Sequence, residues 1–415
     1  MLNWTLFLAI IAIWGILIVN LILTIAGYVY YLKWQREPVV TLPQRVPFVS
    51  ILVPAHNEAV VLEKTVMALL AMDYPQDRYE VIIINDNSSD QSAALLAALQ
   101  TRTTNGRLSV INTTPQNGGI GKSNALNIGL KQAKGTLISV YDADNTPEAA
   151  ALRSLVAALC HDAKLGAVIG KFRTRNKAAS WLTKFINIET LAFQWMAQAG
   201  RQQLFHLCTI PGTNYVIRRD LLEQIGGWDV KALAEDTEIS FRVYQNGYRI
   251  GFEPHAVTWE QEPQTFEVWF HQRTRWVKGN IYVIAKNVRL LLKPSAYRIW
   301  FDLIYFMATY FFLMTALVFS DVIFVLSVAG IVHVTLQGFS NVVWGLAILL
   351  FILSTFITIT TEKGEMTLQN LGLICLMYLA YSQMWLLVAI YGMVGYSREQ
   401  IFHQQATWYK TKRYR

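Results

Sequence analysis

The stretch Phe48-Val-Ser-Ile-Leu-Val-Pro-Ala-His-Asn-Glu58 joins an apolar run to a polar segment, a pattern typical of a strand that ends in a loop. Three further strand-like runs follow, with helical stretches between them. The runs are Val81–Asn85, Leu108–Asn112 and Leu137–Tyr141, and the helical stretches lie near Glu58–Ala71, Gln91–Thr101 and Ser123–Ala133. This alternation predicts an α/β fold, a parallel sheet with helices on both faces. Ligands of such a sheet bind at the carboxyl ends of its strands.

An apolar segment precedes this α/β region. Trp4–Leu32 contains no charged residue, and as a helix it would extend about 43 Å, enough to cross a hydrocarbon core of about 30 Å. A cleaved signal peptide is the alternative, but the run is too long and has no clear cleavage site. Because Lys33, Arg36 and Arg45 follow it, we expect its C-terminal end to face the cytosol.

The chain becomes apolar again after the α/β region. Between Ile299 and Thr361 the charged residues are Asp302 and Asp321, and the segment is long enough for about three crossings. We expect it to divide near Asp321 and near residues 337–341, with a further span from Leu371 to Val394. The tail after these spans is basic, which indicates a cytosolic location. Because the α/β domain and the tail are both expected in the cytosol, an even number of spans must lie between them. Four spans are expected, and two longer ones would also satisfy this condition.

Composition agrees with a membrane protein. The chain has 415 residues, of which 53% are hydrophobic and 15% charged, so it is not a disordered chain, a disulfide-stapled secreted module or an ordinary cytosolic enzyme. Three scattered cysteines without metal-ligand spacing favour a reducing compartment. The net charge of +8 is explained by cytosolic basic residues and a phosphate-bearing substrate rather than by nucleic acid, since no basic tract of that type is present.

Two stretches mix aromatic, aliphatic and basic residues, Trp181–Phe205 and Thr265–Leu292, and we interpret them as interfacial helices that seat the α/β domain on the bilayer. Together with the segments described above, they predict five regions along the chain. The regions are an N-terminal transmembrane helix (1–33), the α/β domain (38–262), interfacial helices (263–297), C-terminal transmembrane helices (298–396) and a basic cytosolic tail (397–415).

Carboxylates follow the first two predicted strands. Glu58 and the small residues before it suit a nucleotide, although polar residues after a strand that ends in proline are common. Asp86, in Ile84-Asn-Asp-Asn-Ser-Ser-Asp90, lies where the ligand crevice of the sheet would open. An Asx turn and a helix N-cap are a strong alternative for Asp90 and a weaker one for Asp86.

Two more carboxylates follow the fourth strand, in Tyr141-Asp-Ala-Asp144. Side chains at positions i and i+2 reach one ligand only if the backbone turns between them. Such a turn suits a divalent cation, Mg²⁺ or Mn²⁺, that bridges to a diphosphate and takes its other ligands from phosphate and water. The cation would neutralise the nucleoside diphosphate as it leaves.

Two later motifs add a base and a binding surface. Ala234-Glu-Asp236 opens a predicted helix, Thr237–Asn246. Its acids are either simply favoured by the helix dipole, or Asp236 is a general base that takes a proton from an attacking hydroxyl. In His271-Gln-Arg-Thr-Arg-Trp276, helical spacing brings Gln272 near the arginine and tryptophan one turn later. Arginine binds phosphate and an indole can carry a sugar ring, whereas membrane-interface aromatics are the alternative.

In their order and spacing, these motifs resemble those of the family 2 glycosyltransferases, specifically the membrane-embedded processive synthases of cellulose, hyaluronan and poly-N-acetylglucosamine. The similarity covers roughly Pro47 to Asn287, and Gln272-x-x-Arg275-Trp276 is its most discriminating part. It implies a GT-A-type, Rossmann-like catalytic domain inserted between transmembrane helices. The protein would be a multi-pass protein of the cell membrane whose catalytic domain is cytosolic.

The resemblance also implies a role for each motif. Asp236 would be the catalytic base, with Glu235 beside it, and Asp142 and Asp144 would hold the metal, Asp144 being the more direct ligand. The residues implied to bind the nucleotide sugar are Glu58, Asp86, Lys122, Asp142, Asp144, Gln272 and Arg275, and those implied to bind the acceptor are Gly212, Thr213, Asn214 and Trp276. For Lys122, a solvated lysine at a helix start is the alternative.

The implied activity is that of an inverting, metal-dependent hexosyltransferase. It would polymerise a β-linked extracellular polysaccharide from a UDP-hexose or UDP-N-acetylhexosamine and pass the growing chain through a membrane channel, with Asp302 among the candidate polar contacts. The lipid bilayer and the polymer are expected partners, an accessory membrane subunit is a further candidate, and nucleic acid is not expected. A non-processive enzyme that adds one sugar to a lipid carrier is the alternative. A transporter or receptor with a nucleotide-sensing domain would need neither Asp236 nor a metal pair.

Overall fold

The computed structural model describes residues 2–103, 106–331, 339–402 and 411–414. The chain forms two compact units. We call them the sheet unit, which comprises Arg36–Thr183, His206–Trp269 and Trp408–Arg415, and the helical unit, which comprises Met1–Gln35, Lys184–Phe205 and Phe270–Thr407.

The sheet unit is built on eight strands. In chain order they are β1 (Val49–Ala55), β2 (Tyr79–Asn85), β3 (Leu108–Asn112), β4 (Leu137–Val140), β5 (Thr146–Pro147), β6 (Leu165–Thr174), β7 (Tyr215–Arg218) and β8 (Arg249–Glu260). Their order across the sheet is β3-β2-β1-β4-β7-β6-β8-β5. The first four strands are parallel, which confirms the predicted strands and their arrangement.

The second half of the sheet differs from the all-parallel prediction. β7 is antiparallel to β4 and to β6, β8 is parallel to β6, and β5 is antiparallel to β8. The regular alternation of strand and helix ends after β4, so the rule that makes neighbouring strands parallel no longer applies there. The sheet is therefore mixed, and only its first half follows from the sequence pattern.

Burial explains why the sequence pattern predicts the first strands correctly. Every residue of β2 and β4 is buried, and so is all of β1 except Pro54. Strands covered on both faces appear as continuous apolar runs rather than as alternating ones. Val49, Ile51 and Val53 share one core with the helix Leu62–Leu70, so β1, β2 and β4 end rigidly at the same edge of the sheet. The other helices of this unit are Ser92–Arg102, Lys122–Gln132, Ala151–His161, Arg219–Gln224 and Glu235–Gln245.

The helical unit contains the long apolar helices. Among the described residues, three stretches are long and apolar enough to cross a membrane: Phe7–Trp34, Ile299–Phe319 and Leu368–Ile401. The remaining elements include π-helical turns and 3₁₀ turns within or after longer helices. The helices and turns that lie wholly or partly in this unit are Leu2–Trp34, Trp181–Ala192, Phe193–Gln198 (π), Ala199–Phe205, Phe266–Asn287, Val288–Leu292 (3₁₀), Pro294–Ala296 (3₁₀), Tyr297–Met307, Ala308–Leu313 (π), Met314–Val328, Phe339–Thr360, Leu368–Leu376, Met377–Tyr381 (π) and Ser382–Ile401.

The predicted division of the C-terminal segment near Asp321 is wrong. The helix Met314–Val328 continues through that position, because a single acid does not break a helix whose other residues are helix-compatible. The second predicted division, at 337–341, falls partly outside the described residues, and a helix begins at Phe339.

A buried ion pair accounts for one acid of the apolar segment. Asp302 Oδ1 lies 2.8 Å from Arg201 Nη1, and both side chains are almost fully buried. Arg201 also donates to the Ala197 carbonyl at 2.7 Å and to Gln198 Oε1 at 2.9 Å. Since an uncompensated charge in apolar surroundings is costly, this pairing explains how Asp302 is tolerated. Its expected contact with a passing polymer stays a prediction.

Candidate active site

The paired carboxylates lie on a tight turn directly after β4. The Asn145 N–H donates to the Asp142 carbonyl at 3.1 Å, which is the backbone turn that a shared ligand requires. Asp142 Oδ1 is 2.6 Å from Lys122 Nζ. Asp144 is buried, and its Oδ2 accepts the Gln261 N–H at 3.0 Å and lies 3.0 Å from Arg413 Nη1. The negative charge of each carboxylate is therefore balanced by a neighbouring cationic side chain.

Lys122 joins three predicted site segments. It begins the helix Lys122–Gln132, and its Nζ contacts Asp142, Glu235 Oε1 at 3.4 Å and the Gly212 carbonyl at 2.8 Å. Burial alone lowers the pKa of this ammonium, but the charges of Asp142 and Glu235 outweigh burial, so its pKa is raised. This geometry contradicts the alternative of a solvated lysine. Lys122 carries a fixed positive charge at the centre of an acidic cluster.

Glu235 and Asp236 form the first turn of the helix Glu235–Gln245. Glu235 is buried, Asp236 is half-buried, and Asp236 Oδ1 accepts the Thr237 N–H at 2.6 Å. Gly212 packs against the other oxygen, since a Cβ there would lie 2.8 Å from Asp236 Oδ2 and 3.4 Å from Lys122 Nζ. The helix N-terminus favours an ionised carboxylate. Placement at a helix start agrees with both interpretations of these acids, and the role of Asp236 as a base stays a prediction.

Asp86 follows β2 and is held by a neighbouring loop. Its Oδ1 accepts the Thr113 hydroxyl at 2.9 Å and the Gly119 N–H at 2.8 Å. A Cβ on Gly118 would lie 2.5 Å from the same oxygen, so the loop approaches Asp86 too closely for a side chain. Since this loop runs on directly to Lys122, one segment connects the predicted nucleotide-binding aspartate to the acidic cluster.

Glu58 lies in a loop joined to the loop after β2. Its N–H donates to Ser92 Oγ at 3.1 Å, and its side chain is buried. Asn57 Oδ1 accepts the backbone N–H groups of Ser89 at 2.7 Å and Asp90 at 3.1 Å. Asn57 itself has a φ of 55°, a conformation that asparagine tolerates better than most residues. The two loops are thus fixed to each other at the carboxyl edge of the sheet.

Thr213 and Asn214 support the turn after β4. The Thr213 hydroxyl accepts the Asp142 N–H at 3.1 Å and bonds to Asn145. Asn214 Nδ2 donates to the Lys171 carbonyl at 3.0 Å and the Ala256 carbonyl at 2.8 Å, which links β6 to β8. Both side chains are buried. Their predicted contact with an acceptor stays a prediction.

Gln272, Arg275 and Trp276 lie on the helix Phe266–Asn287, within the helical unit. Gln272 is buried and its Oε1 accepts from Arg273 Nη1 at 2.9 Å. The Arg273 guanidinium carbon lies 3.9 Å from the centroid of the Trp276 ring, which is 36% exposed. One face of this indole is therefore covered by a cation, and part of the ring is accessible.

Arg413 is a residue that sequence reasoning missed. From the sequence, the basic tail indicated only a cytosolic location. In the structure, Arg413 Nη1 contacts Asp144 and also donates to the Gln261 carbonyl at 3.0 Å. Tyr414 strengthens the attachment, because its N–H and carbonyl pair with the Gln261 side chain at 3.0 and 2.7 Å. The excess of basic residues in the tail was the available signal, but nothing in the spacing connects it to Asp144.

The residues around Asp142 and Asp144 fit a divalent cation. Their oxygens are the hard ligands that Mg²⁺ and Mn²⁺ accept, and the turn after β4 carries both carboxylates. Among the residues that the structure describes, no three His, Cys, Asp or Glu side chains form a metal site. A cation here would take its remaining ligands from a diphosphate and water, as the sequence predicts.

We expect Arg413→Ala to tighten Mn²⁺ binding in the absence of nucleotide by about tenfold, since a charge-assisted hydrogen bond is worth about 1.5–3 kcal/mol. The reason is that the guanidinium competes with a cation for Asp144 Oδ2. Electron paramagnetic resonance of free Mn²⁺ during a titration measures the affinity. Lys412→Ala is the matched control, since Lys412 is exposed in the same tail. Unchanged or weaker Mn²⁺ binding in Arg413→Ala would show that the two cations do not compete.

Comparison with known proteins identifies relatives of this chain. Residues 45–279 match the family model described as "Glycosyltransferase like family 2". The chain is 44% identical over 418 residues to the probable glycosyltransferase YdaM of Bacillus subtilis (strain 168), a match that covers 99% of this chain and 98% of that one. It is also 31% identical over 252 residues to the poly-β-1,6-N-acetyl-D-glucosamine synthase of Staphylococcus aureus (strain COL), covering 61% of this chain and 59% of that one.

A solved structure has a similar fold over most of its length. The mannosyltransferase PcManGT from Pyrobaculum calidifontis, in complex with GDP-Man and Mn²⁺, has a TM-score of 0.64 and 22% identity. The match covers 92% of this chain and 99% of that one. At this identity the likeness shows the fold alone.

Proposed function

Because this chain belongs to the glycosyltransferase family 2, we propose that it is an inverting, metal-dependent hexosyltransferase of the processive, membrane-embedded type. Its sheet unit is a GT-A-like, Rossmann-type α/β glycosyltransferase domain. The proposed reaction polymerises a β-linked extracellular polysaccharide from a UDP-hexose or UDP-N-acetylhexosamine and moves it across the cell membrane. The observation that carries the proposal is the contact of Lys122 with Asp142, Glu235 and Gly212, which joins the diphosphate and base segments.

The arrangement suits direct displacement at the anomeric carbon. An acceptor hydroxyl oxygen forms the new bond to C1 while its proton passes to Asp236. The bond from C1 to the diphosphate oxygen breaks, and UDP leaves with the electron pair, so an α-linked donor yields a β-linkage. A bound divalent cation would supply positive charge to the departing diphosphate. The Lys122 ammonium contacts the carboxylates of both Asp142 and Glu235, and its positive charge offsets their mutual repulsion.

The tail supports a cytosolic active site. Arg413 contacts Asp144, so the tail and the catalytic carboxylates lie on the same side of any membrane. An even number of complete crossings must then separate them. Among the residues that the structure describes, Ile299–Phe319 and Leu368–Ile401 are two candidate spans in this interval, and the four expected spans would satisfy the same condition. Basic residues on both flanks of the spans support the cytosolic side.

Two observations favour a polymer over a single transfer to a lipid carrier. The relative from Staphylococcus aureus is named a poly-β-1,6-N-acetyl-D-glucosamine synthase, and this chain carries Gln272-x-x-Arg275-Trp276 on the helix Phe266–Asn287. UDP-N-acetylglucosamine is therefore the first donor to test.

The test is an incubation of the detergent-purified full chain with single radiolabelled UDP-sugars and Mg²⁺ or Mn²⁺. We expect labelled product at the gel origin with one donor, removed by one linkage-specific glycosidase. A labelled glycolipid as the sole product would support the lipid-carrier alternative instead. Absence of transfer from every UDP-sugar, in protein that still binds UDP and Mn²⁺, would overturn the proposal.

We expect Trp276→Ala to shorten the polymer severalfold, because an aromatic contact worth about 0.5–1.5 kcal/mol holds the terminal sugar between additions. Size-exclusion chromatography of the labelled product measures its length. Trp276→Phe keeps a ring and should retain longer product. Trp181→Ala is the control, since Trp181 is an exposed tryptophan outside the motif. Product of unchanged length from Trp276→Ala would remove the acceptor role.

A further inference from the structure

A single carboxylate in the helical unit receives three side-chain hydrogen bonds. Glu189, on the helix Trp181–Ala192, accepts from Arg273 Nη2 at 2.7 Å, from the Tyr381 hydroxyl at 2.9 Å and from Trp385 Nε1 at 2.9 Å. The donors come from two segments of the unit, the helix Phe266–Asn287 and the continuous helical stretch Leu368–Ile401. The sequence motifs assign no role to Glu189. Such convergence fixes the position of a carboxylate more strongly than a single ion pair does.

Arg273 transmits this position to the motif. Its side chain is 1% exposed, and besides Glu189 it contacts Gln272 Oε1 at 2.9 Å and lies 3.9 Å from the centroid of Trp276. One guanidinium therefore touches two of the three defining residues of Gln272-x-x-Arg275-Trp276. Since a guanidinium over an indole attracts the ring and restricts its rotation, the orientation of Trp276 depends on where Arg273 is held.

Glu189 balances the charge of Arg273. A buried guanidinium without an anionic partner is strongly destabilised, so this carboxylate stabilises Arg273 in its position against Trp276. A platform that is already oriented loses less conformational freedom when a ligand binds. The Glu189–Arg273 pair thus orients the Trp276 indole before a sugar arrives.

We propose that Glu189 and Arg273 are positioning residues that hold Trp276 in the conformation that receives the acceptor sugar. This inference rests on the proposed function, because it assumes that Trp276 contacts the acceptor. Neither residue takes part in bond making. Their effect is on acceptor binding, and the donor is bound and activated without them.

Variants of the pair separate positioning from general stability. Glu189→Gln keeps the shape of the side chain and removes its charge. Arg273→Lys keeps a cation for Glu189 but loses the planar group over Trp276, and it replaces Glu189→Gln if that variant does not fold. Glu362→Gln is the matched control, because Glu362 is another buried carboxylate of this unit and accepts from an indole, Trp195 Nε1, at 3.1 Å.

The first measurement follows Trp276 directly and does not need activity. The full chain is labelled with 5-fluorotryptophan in detergent, and the ¹⁹F resonance of Trp276 is assigned by its loss in Trp276→Phe. We expect this resonance to shift or broaden in Glu189→Gln and in Arg273→Lys and to stay in place in Glu362→Gln. An unchanged Trp276 resonance in both pair variants would overturn the proposal.

The second measurement compares acceptor and donor steps. With a short oligosaccharide acceptor, we expect the acceptor KM of Glu189→Gln to rise about tenfold, while hydrolysis of the UDP-sugar without acceptor stays within about twofold of wild type. A parallel fall in hydrolysis and transfer would indicate a merely structural role and overturn positioning. A wild-type chain that transfers no sugar would overturn the proposed function, while the ¹⁹F measurement would still decide whether Glu189 orients Trp276.

Discussion

Asp236→Asn is expected to lower the rate of sugar transfer by about a thousandfold, since a positioned general base contributes about 10²–10⁴ to the rate. An amide has nearly the same shape as a carboxylate but cannot take the proton of the attacking hydroxyl. The contacts that hold the donor, including those of Lys122 with Asp142, are left in place. UDP should therefore bind to the variant with unchanged affinity, measured by isothermal titration calorimetry beside the transfer assay.

Asp220→Asn is the control for this change. Asp220 is an exposed acid in the first turn of another helix of the sheet unit, Arg219–Gln224. If acids at helix starts contributed only through the dipole, both variants would lose stability slightly and transfer would persist in both. Full activity of Asp236→Asn would discard its role as base.

Asp144→Asn is expected to weaken UDP binding in the presence of Mn²⁺ by at least about a hundredfold, or about 2.7 kcal/mol. The substitution removes a negative charge that a divalent cation needs. It also places an amide NH₂ where Asp144 Oδ2 now accepts the Gln261 N–H and faces Arg413. UDP titrations with and without Mn²⁺ measure the effect, and the difference between them should nearly vanish in the variant.

Glu148→Gln is the matched control for the metal assignment. Glu148 is an exposed acid in the same segment after β4, and its Oε1 accepts from Trp259 Nε1. Its loss should leave the Mn²⁺ dependence of UDP binding intact. Retention of the wild-type Mn²⁺ dependence in Asp144→Asn would refute Asp144 as a metal ligand.

Local patterns were sufficient for the first half of the sheet. β1 to β4 are parallel strands, and parallel strands are buried on both faces. Consecutive residues of such a strand are therefore apolar, which makes the strand recognisable in the sequence. The carboxylates of the motifs were readable for the same reason, since Asp86 and Asp142 come directly after strands whose ends share one edge. By contrast, the antiparallel strands after β4 had no regular alternation to reveal them.

The pairing of these groups was decided by the tertiary structure. Lys122 with Asp142 and Glu235, Arg413 with Asp144, and Glu189 with Arg273 each join residues far apart in the chain. Periodicity and propensity report on neighbours within a few turns or strands, so they show which side chains carry charge and where a segment ends. Which cation meets which carboxylate depends on how distant segments close together, and burial then makes those few contacts strong enough to orient the site.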